Sequence, residues 1–93
     1  MLEKNIEKRL IDEVKKKKGL CLKFISPSMT GIPDRIVLLP NGRIGFVEVK
    51  GPGEKPRPIQ LKRIKELKSL GCKVFVLDEI DQIDEVIKKI GGD

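Results

Sequence analysis

The tightest constraint on the fold of this chain is Asn41-Gly42, set between the apolar runs Ile36-Val37-Leu38-Leu39 and Ile44-Gly45-Phe46-Val47. Asn-Gly tolerates a left-handed backbone at both positions, which makes it the strongest short hairpin signal. Strands are predicted over 34–39 and 43–50. Pro40 at the end of the first strand argues against a tidy two-residue turn, and the register depends on that turn. A strict two-residue turn sets Asp34 opposite Val49. An odd-length loop or a bulge sets it opposite Glu48 or Lys50 instead, on the same face of the sheet. The odd-length alternative is expected.

Around this hairpin the remaining elements follow from periodicity. Leu2, Ile6, Leu10 and Val14 recur every four residues, with Ile11 beside them, predicting an amphipathic helix over about 2–18. Lys15 to Lys18 complement the negative end of its dipole, and Gly19 is the expected stop. A strand over 20–25 and a polar loop from Ser26 to Gly31 come next. Residues 51–58 are rich in proline, glycine and charge and read as an extended loop. A second helix over 59–70 turns Ile59, Ile64, Leu67 and Leu70 inward and ends at Gly71. A strand over 73–77 precedes a last helix over 82–90, capped by Asp81. The order is αβββαβα in one domain spanning 1–93. The expected class is α/β, with an αβββαβ core and a four-stranded mixed sheet carrying helices on both faces. With no secretory h-region and no long apolar run, a cytoplasmic protein without a membrane partner is expected.

Composition narrows the chemistry. The 93 residues include no His, Tyr or Trp, which excludes histidine-ligated metal sites, Ser-His-Asp triads and tyrosine nucleophiles. Catalysis would have to come from carboxylates, Lys, Ser/Thr, Cys and bound metal. Cys21 and Cys72 are too far apart for a zinc motif and read as buried free thiols. Twenty Lys+Arg against 14 Asp+Glu give a net charge of +6, the footprint of a polyanion binder or, alternatively, a basic surface kept for solubility. The low aromatic content of 3% argues against a stacking single-strand binder.

Asp34, Glu48 and Lys50 stand out. Glu48 and Lys50 leave the same face of a strand, at the end of a surface carrying Ile44 and Phe46. A carboxylate and an ammonium there are costly without partners. The hairpin brings Asp34 to them, and two carboxylates beside a lysine suit a hard cation that also binds phosphate oxygens. An ordinary Glu-Lys pair with Asp34 capping a turn is the competing account. Glu3 and Glu7 lie two turns from Leu10 and Val14, on the inward side of the first helix, and either can serve the site. Gln60 is placed to bond Lys50 or a phosphate. Ser26 and Ser28 on one loop, and Lys55 and Arg57 on another, are candidate phosphate contacts.

Three motifs in order carry a family resemblance: Gly31-Ile32-Pro33-Asp34-Arg35-Ile36-Val37-Leu38, Phe46-Val47-Glu48-Val49-Lys50 and Pro58-Ile59-Gln60. Together they resemble the virus-type replication-repair nuclease (VRR-NUC) domain, a branch of the PD-(D/E)XK nuclease superfamily, over nearly the whole chain. The resemblance implies a restriction-endonuclease-like core and Mg²⁺- or Mn²⁺-dependent phosphodiester cleavage. It implies metal binding by Asp34, Glu48 and the Val49 carbonyl, a catalytic Lys50, a supporting Gln60 and a helix glutamate, Glu7 or alternatively Glu3. It also implies a stand-alone phage-type enzyme, active in the host cytoplasm as a homodimer on branched DNA such as Holliday junctions. Arg35, within the first motif, joins the candidate DNA contacts. A nickase or exonuclease of the same chemistry, or a non-catalytic basic DNA-binding module, are the alternatives.

Overall fold

The computed structural model describes residues 2–92. Helix α1 (Glu3–Lys16) buries Ile6, Leu10 and Val14 completely, with Glu3 in its first turn and Lys15 and Lys16 in its last. Leu2, expected on this stripe, lies outside the helix at 59% exposure. The helix also stops earlier than the sequence suggests. Lys18, with φ 63°, takes the left-handed position expected of Gly19. Gly19 is required for space instead: a Cβ there would collide with the Leu38 carbonyl oxygen.

Strands β1 (Leu20–Lys23), β2 (Arg35–Leu39), β3 (Arg43–Val49) and β4 (Val74–Leu77) form one sheet in that order. β2 runs antiparallel to both β1 and β3, and β4 runs parallel to β3. The crossover to β4 carries helix α2 (Pro58–Ser69), and helix α3 (Ile83–Ile90) closes the chain. This is the expected mixed, four-stranded α/β architecture.

Between β2 and β3 lies a three-residue loop, Pro40–Gly42, with Asn41 and Gly42 both left-handed at φ 70° and 72°. The odd length is the one that Pro40 favours. Leu39 faces Arg43 and Arg35 faces Val47; one step further, the same register sets Asp34 opposite Glu48.

The two faces of the sheet are treated differently. One receives α1 and α3 and holds the core: Val37, Val47, Val49 and Leu77 pack with Leu10, Ile83 and Ile90. The close seat of α3 depends on Gly45, where any side chain would strike Ile90. The other face is covered by α2 over β4, leaving much of β1 and the start of β3 uncovered. Leu70, expected inward, is 79% exposed just past the end of α2. Asp81 does not cap α3; a 3-10 turn over Ile80–Gln82 leads into it, and Gln82 Oε1 accepts the Asp78 N–H at 3.1 Å. Both cysteines are free and half-buried, not fully enclosed as expected, and burial pushes the Cys21 thiol up to about 11. Among the described residues no helix is long and apolar enough to cross a membrane.

Candidate active site

The site forms where the start of β2, the end of β3 and the start of α2 meet. β3 alternates strictly, so Val47 and Val49 enter the core while Glu48 points to the α2 side. Glu48 is only 3% exposed, an unusual position for a carboxylate. Its Oε2 accepts a hydrogen bond from Gln60 Nε2 at 3.1 Å and lies 3.8 Å from the Lys50 ammonium. Its Oε1 is buried and has no hydrogen-bond partner. Burial, reinforced by the charge of Asp34, pushes the Glu48 carboxyl up to about 7, against the opposing effect of Lys50.

Asp34 is fastened to the same strand end, its Oδ1 accepting the Val49 N–H at 3.0 Å. Burial raises its carboxyl above the usual range, and the Val49 N–H works against that rise. Val49, expected to offer its carbonyl to a metal, thus contributes its amide to orienting Asp34. Gln60 does not reach for Lys50 or open solvent. Its Oε1 accepts the Arg57 N–H at 2.8 Å, at the mouth of α2, which directs Nε2 onto Glu48. One amide side chain therefore closes the first turn of α2 and grips the buried carboxylate. Pro58 opens that turn at no cost, since the first turn of a helix does not use its N–H.

The two helix glutamates part company. Glu7 is engaged by Arg35, whose Nε donates at 2.9 Å, and Arg35 also reaches the Cys21 carbonyl at 3.4 Å. The Arg35 side chain is 13% exposed, so this guanidinium is a strut between α1 and β2, turned away from solvent. Glu3, one turn earlier, feels the site directly: partial burial raises its carboxyl, Asp34 adds to the rise and Lys50 opposes it. Among the described residues, no three carboxylates or thiols converge into a ready metal cage. The charges of both helix glutamates nevertheless reach the pair, Glu3 acting on Glu48 and Glu7 on Asp34.

Ser26 and Ser28 make an exposed contact, their hydroxyls 3.4 Å apart, on the loop between β1 and β2. Lys55 and Arg57 flank the site on the loop between β3 and α2, and the charge of Arg57 reaches Glu48. Two fasteners are absent from the sequence-derived candidates. Arg63 Nε donates to the Thr30 carbonyl at 2.9 Å and ties the serine loop to α2. Glu54 Oε1 accepts the Gly51 N–H at 2.9 Å and tightens the turn that follows Lys50. A turn-forming Gly51-Pro52-Gly53-Glu54 is a readable signal for the second; nothing local marks the first.

The VRR-NUC domain model matches residues 2–78 of this chain. "Putative nuclease p44" of Acyrthosiphon pisum secondary endosymbiont phage 1 is 54% identical over 79 residues, covering 85% of each chain. A solved structure described as a VRR_NUC domain superposes with a TM-score of 0.85 at 33% identity, covering 92% of this chain and 94% of its own. The three agree with the ordered motifs and with the sheet that brings Asp34 against Glu48, and this chain belongs to the VRR-NUC domain family.

Proposed function

We propose that this protein is a divalent-metal-dependent nuclease that hydrolyses phosphodiester bonds in branched DNA and works as a homodimer. One observation carries the metal-dependent part of the reading: the buried Glu48 Oε1, without a partner, beside Asp34 and Lys50. A buried carboxylate oxygen left unpaired is strongly destabilising in a finished protein. It becomes reasonable if a cation completes it. Asp34 and Glu48 would hold that ion, with the Val49 carbonyl as a further oxygen. Two carboxylates suit Mg²⁺ or Mn²⁺, with water and phosphate oxygens supplying the rest of the shell. When bound, the ion supplies Lewis acidity to the phosphate and lowers the pKa of a bound water.

The chain's own residues then have distinct tasks. Gln60 and the Val49 N–H hold the two carboxylates in place, so little rearrangement is needed when substrate arrives. Lys50 Nζ, 15% exposed at the side chain, donates to the attacking water and offsets charge developing on the phosphate oxygens. Arg57, Lys55 and the two serines contact flanking phosphates without reading sequence. The charges of both helix glutamates reach the carboxylate pair, Glu3 acting on Glu48 and Glu7 on Asp34, and Glu7 is in addition held by Arg35 as a positioning residue. The family resemblance and the relative described as a nuclease support DNA as the substrate; branched DNA and pairing rest on the resemblance alone.

Labelled four-way junction, duplex and single strand, each with Mg²⁺, Mn²⁺ or EDTA, test the reading. Paired, metal-dependent cuts in the junction are expected. Cleavage of ends or of one strand only would replace the substrate assignment with an exonuclease or a nickase. Tight binding without cleavage in any metal would overturn the enzyme in favour of a binding module.

A further inference from the structure

The uncovered part of the sheet is apolar where solvent should favour polar residues. Leu20 pairs with Leu38 and Leu22 with Ile36; across the next strand Ile36 pairs with Phe46 and Leu38 with Ile44. These directly opposed residues share one face, the face opposite the core. Leu20, Leu22 and Ile44 are 59%, 45% and 48% exposed. In an antiparallel sheet with one solvated face, that face is ordinarily polar. Leu70, the residue before Gly71, is 79% exposed just past the end of α2. Next to Leu70, Ile36, Ile44, Phe46 and Cys72 line a groove of about 480 Å³.

From these features we infer that this face is the surface on which two copies of the chain pair, a step that rests on the homodimer proposed above. Two observations select a second copy as the occupant. The first is self-complementarity: projecting leucines and a receiving apolar groove lie on one surface, as a twofold interface requires, each copy giving what the other accepts. The second is size. The exposed side chains make a patch on the order of 500 Å², at the upper end of what monomers tolerate. Doubled by a twofold, it reaches roughly 1,000 Å², where specific interfaces begin. DNA is a poor occupant, because phosphates gain nothing from leucine and isoleucine. The patch also stops short of the site, since the first turn of α2 covers the sheet at Glu48 through Gln60. Two copies can therefore pair while both sites stay open.

Sedimentation or light scattering on the full chain, in EDTA and without DNA, gives a mass that does not depend on cleavage. Wild-type protein is expected at twice 10.5 kDa, and Ile44→Lys at half the wild-type value. Leu20→Lys is expected to raise the dimer dissociation constant at least about tenfold. Far-UV circular dichroism checks the fold of each variant; if Ile44→Lys unfolds, Leu20→Lys and Leu22→Lys on the edge strand decide the question. Wild-type protein of single-chain mass at 100 μM would overturn the inference and leave the face to a different protein. A dimer indifferent to all the folded variants would overturn it too, by placing the interface elsewhere. A protein that pairs through this face yet cuts no DNA would sink the nuclease reading and leave the interface standing.

Discussion

The two faces of the sheet are built from the same strands to opposite ends. On the face under α1 and α3, Val37, Val47 and Leu77 are fully enclosed, and the Arg35 guanidinium that enters this layer is paired with Glu7. On the other, the strands carry a buried glutamate with an unpaired oxygen at one end and half-exposed aliphatic residues at the other. The first face supplies the apolar burial on which stability rests. The second spends some of that stability, because a desolvated carboxylate and uncovered leucines are both unfavourable in an isolated chain. Function on a scaffold this small is concentrated on the face the core does not need.

Perturbing each face should separate these contributions. The largest effect is expected at the site: Lys50→Ala or Asp34→Ala should reduce cleavage at least about a hundredfold, with DNA binding largely retained, as losses of electrostatic and metal contributions do. Single-turnover cleavage beside a binding titration reads both, and a folded Lys50→Ala protein cutting at the wild-type rate would refute the role. Next comes the core face. Leu10→Ala should cost about 3 kcal/mol of stability, because a fully enclosed leucine leaves a cavity. Leu20→Ala on the open face should cost well under about 1 kcal/mol in the unpaired chain. Chemical denaturation at low protein concentration compares the two, and equal costs would erase the distinction between the faces.

A third effect has the opposite sign. In EDTA, Glu48 keeps its proton to about 7 in the folded chain but loses it near the ordinary glutamate value of roughly 4.3 when unfolded. Between those values the unfolded state binds fewer protons, so stability falls as pH rises and levels off above about 7. The span is worth at most about 4 kcal/mol. Glu48→Gln should flatten this slope and raise the midpoint of thermal unfolding at pH 8 while ending cleavage. A wild-type melting profile without that slope would contradict the assigned burial of charge. The smallest effect is expected at the rim: neutralising Lys55 and Arg57 together should weaken DNA binding by about tenfold on every sequence and flatten its salt dependence, since each phosphate contact releases counterions. Salt-titrated binding reads this directly.

Much of the fold and of the site is legible in the order of residues. Pro40 beside Asn41-Gly42 implies an odd-length loop, and that one inference carries Asp34 to Glu48, because side-chain alternation leaves only two registers to choose between. The features that local patterns miss depend on partners distant in the chain. Glu3 and Glu7 are equivalent by helical spacing, and only Arg35, 28 residues beyond Glu7, distinguishes them. Gln60 is assigned to the site by its motif, but its grip on Glu48 follows from how α2 docks. Lys18 takes the conformation expected of a glycine, because Gly19 is needed where the backbone of β2 passes close.

Local order, the αβββαβα succession, the net positive charge and the types of reactive group were determined by the sequence alone, since periodicity, turn chemistry and composition act over a few residues at a time. The burial of Glu48, the engagement of Glu7, the exposure of Leu70 and the uncovered half of the sheet were decided only by tertiary structure. Burial is a property of what packs against a residue. In this chain the packing partners come from helices and strands tens of residues away, whose positions no local pattern encodes.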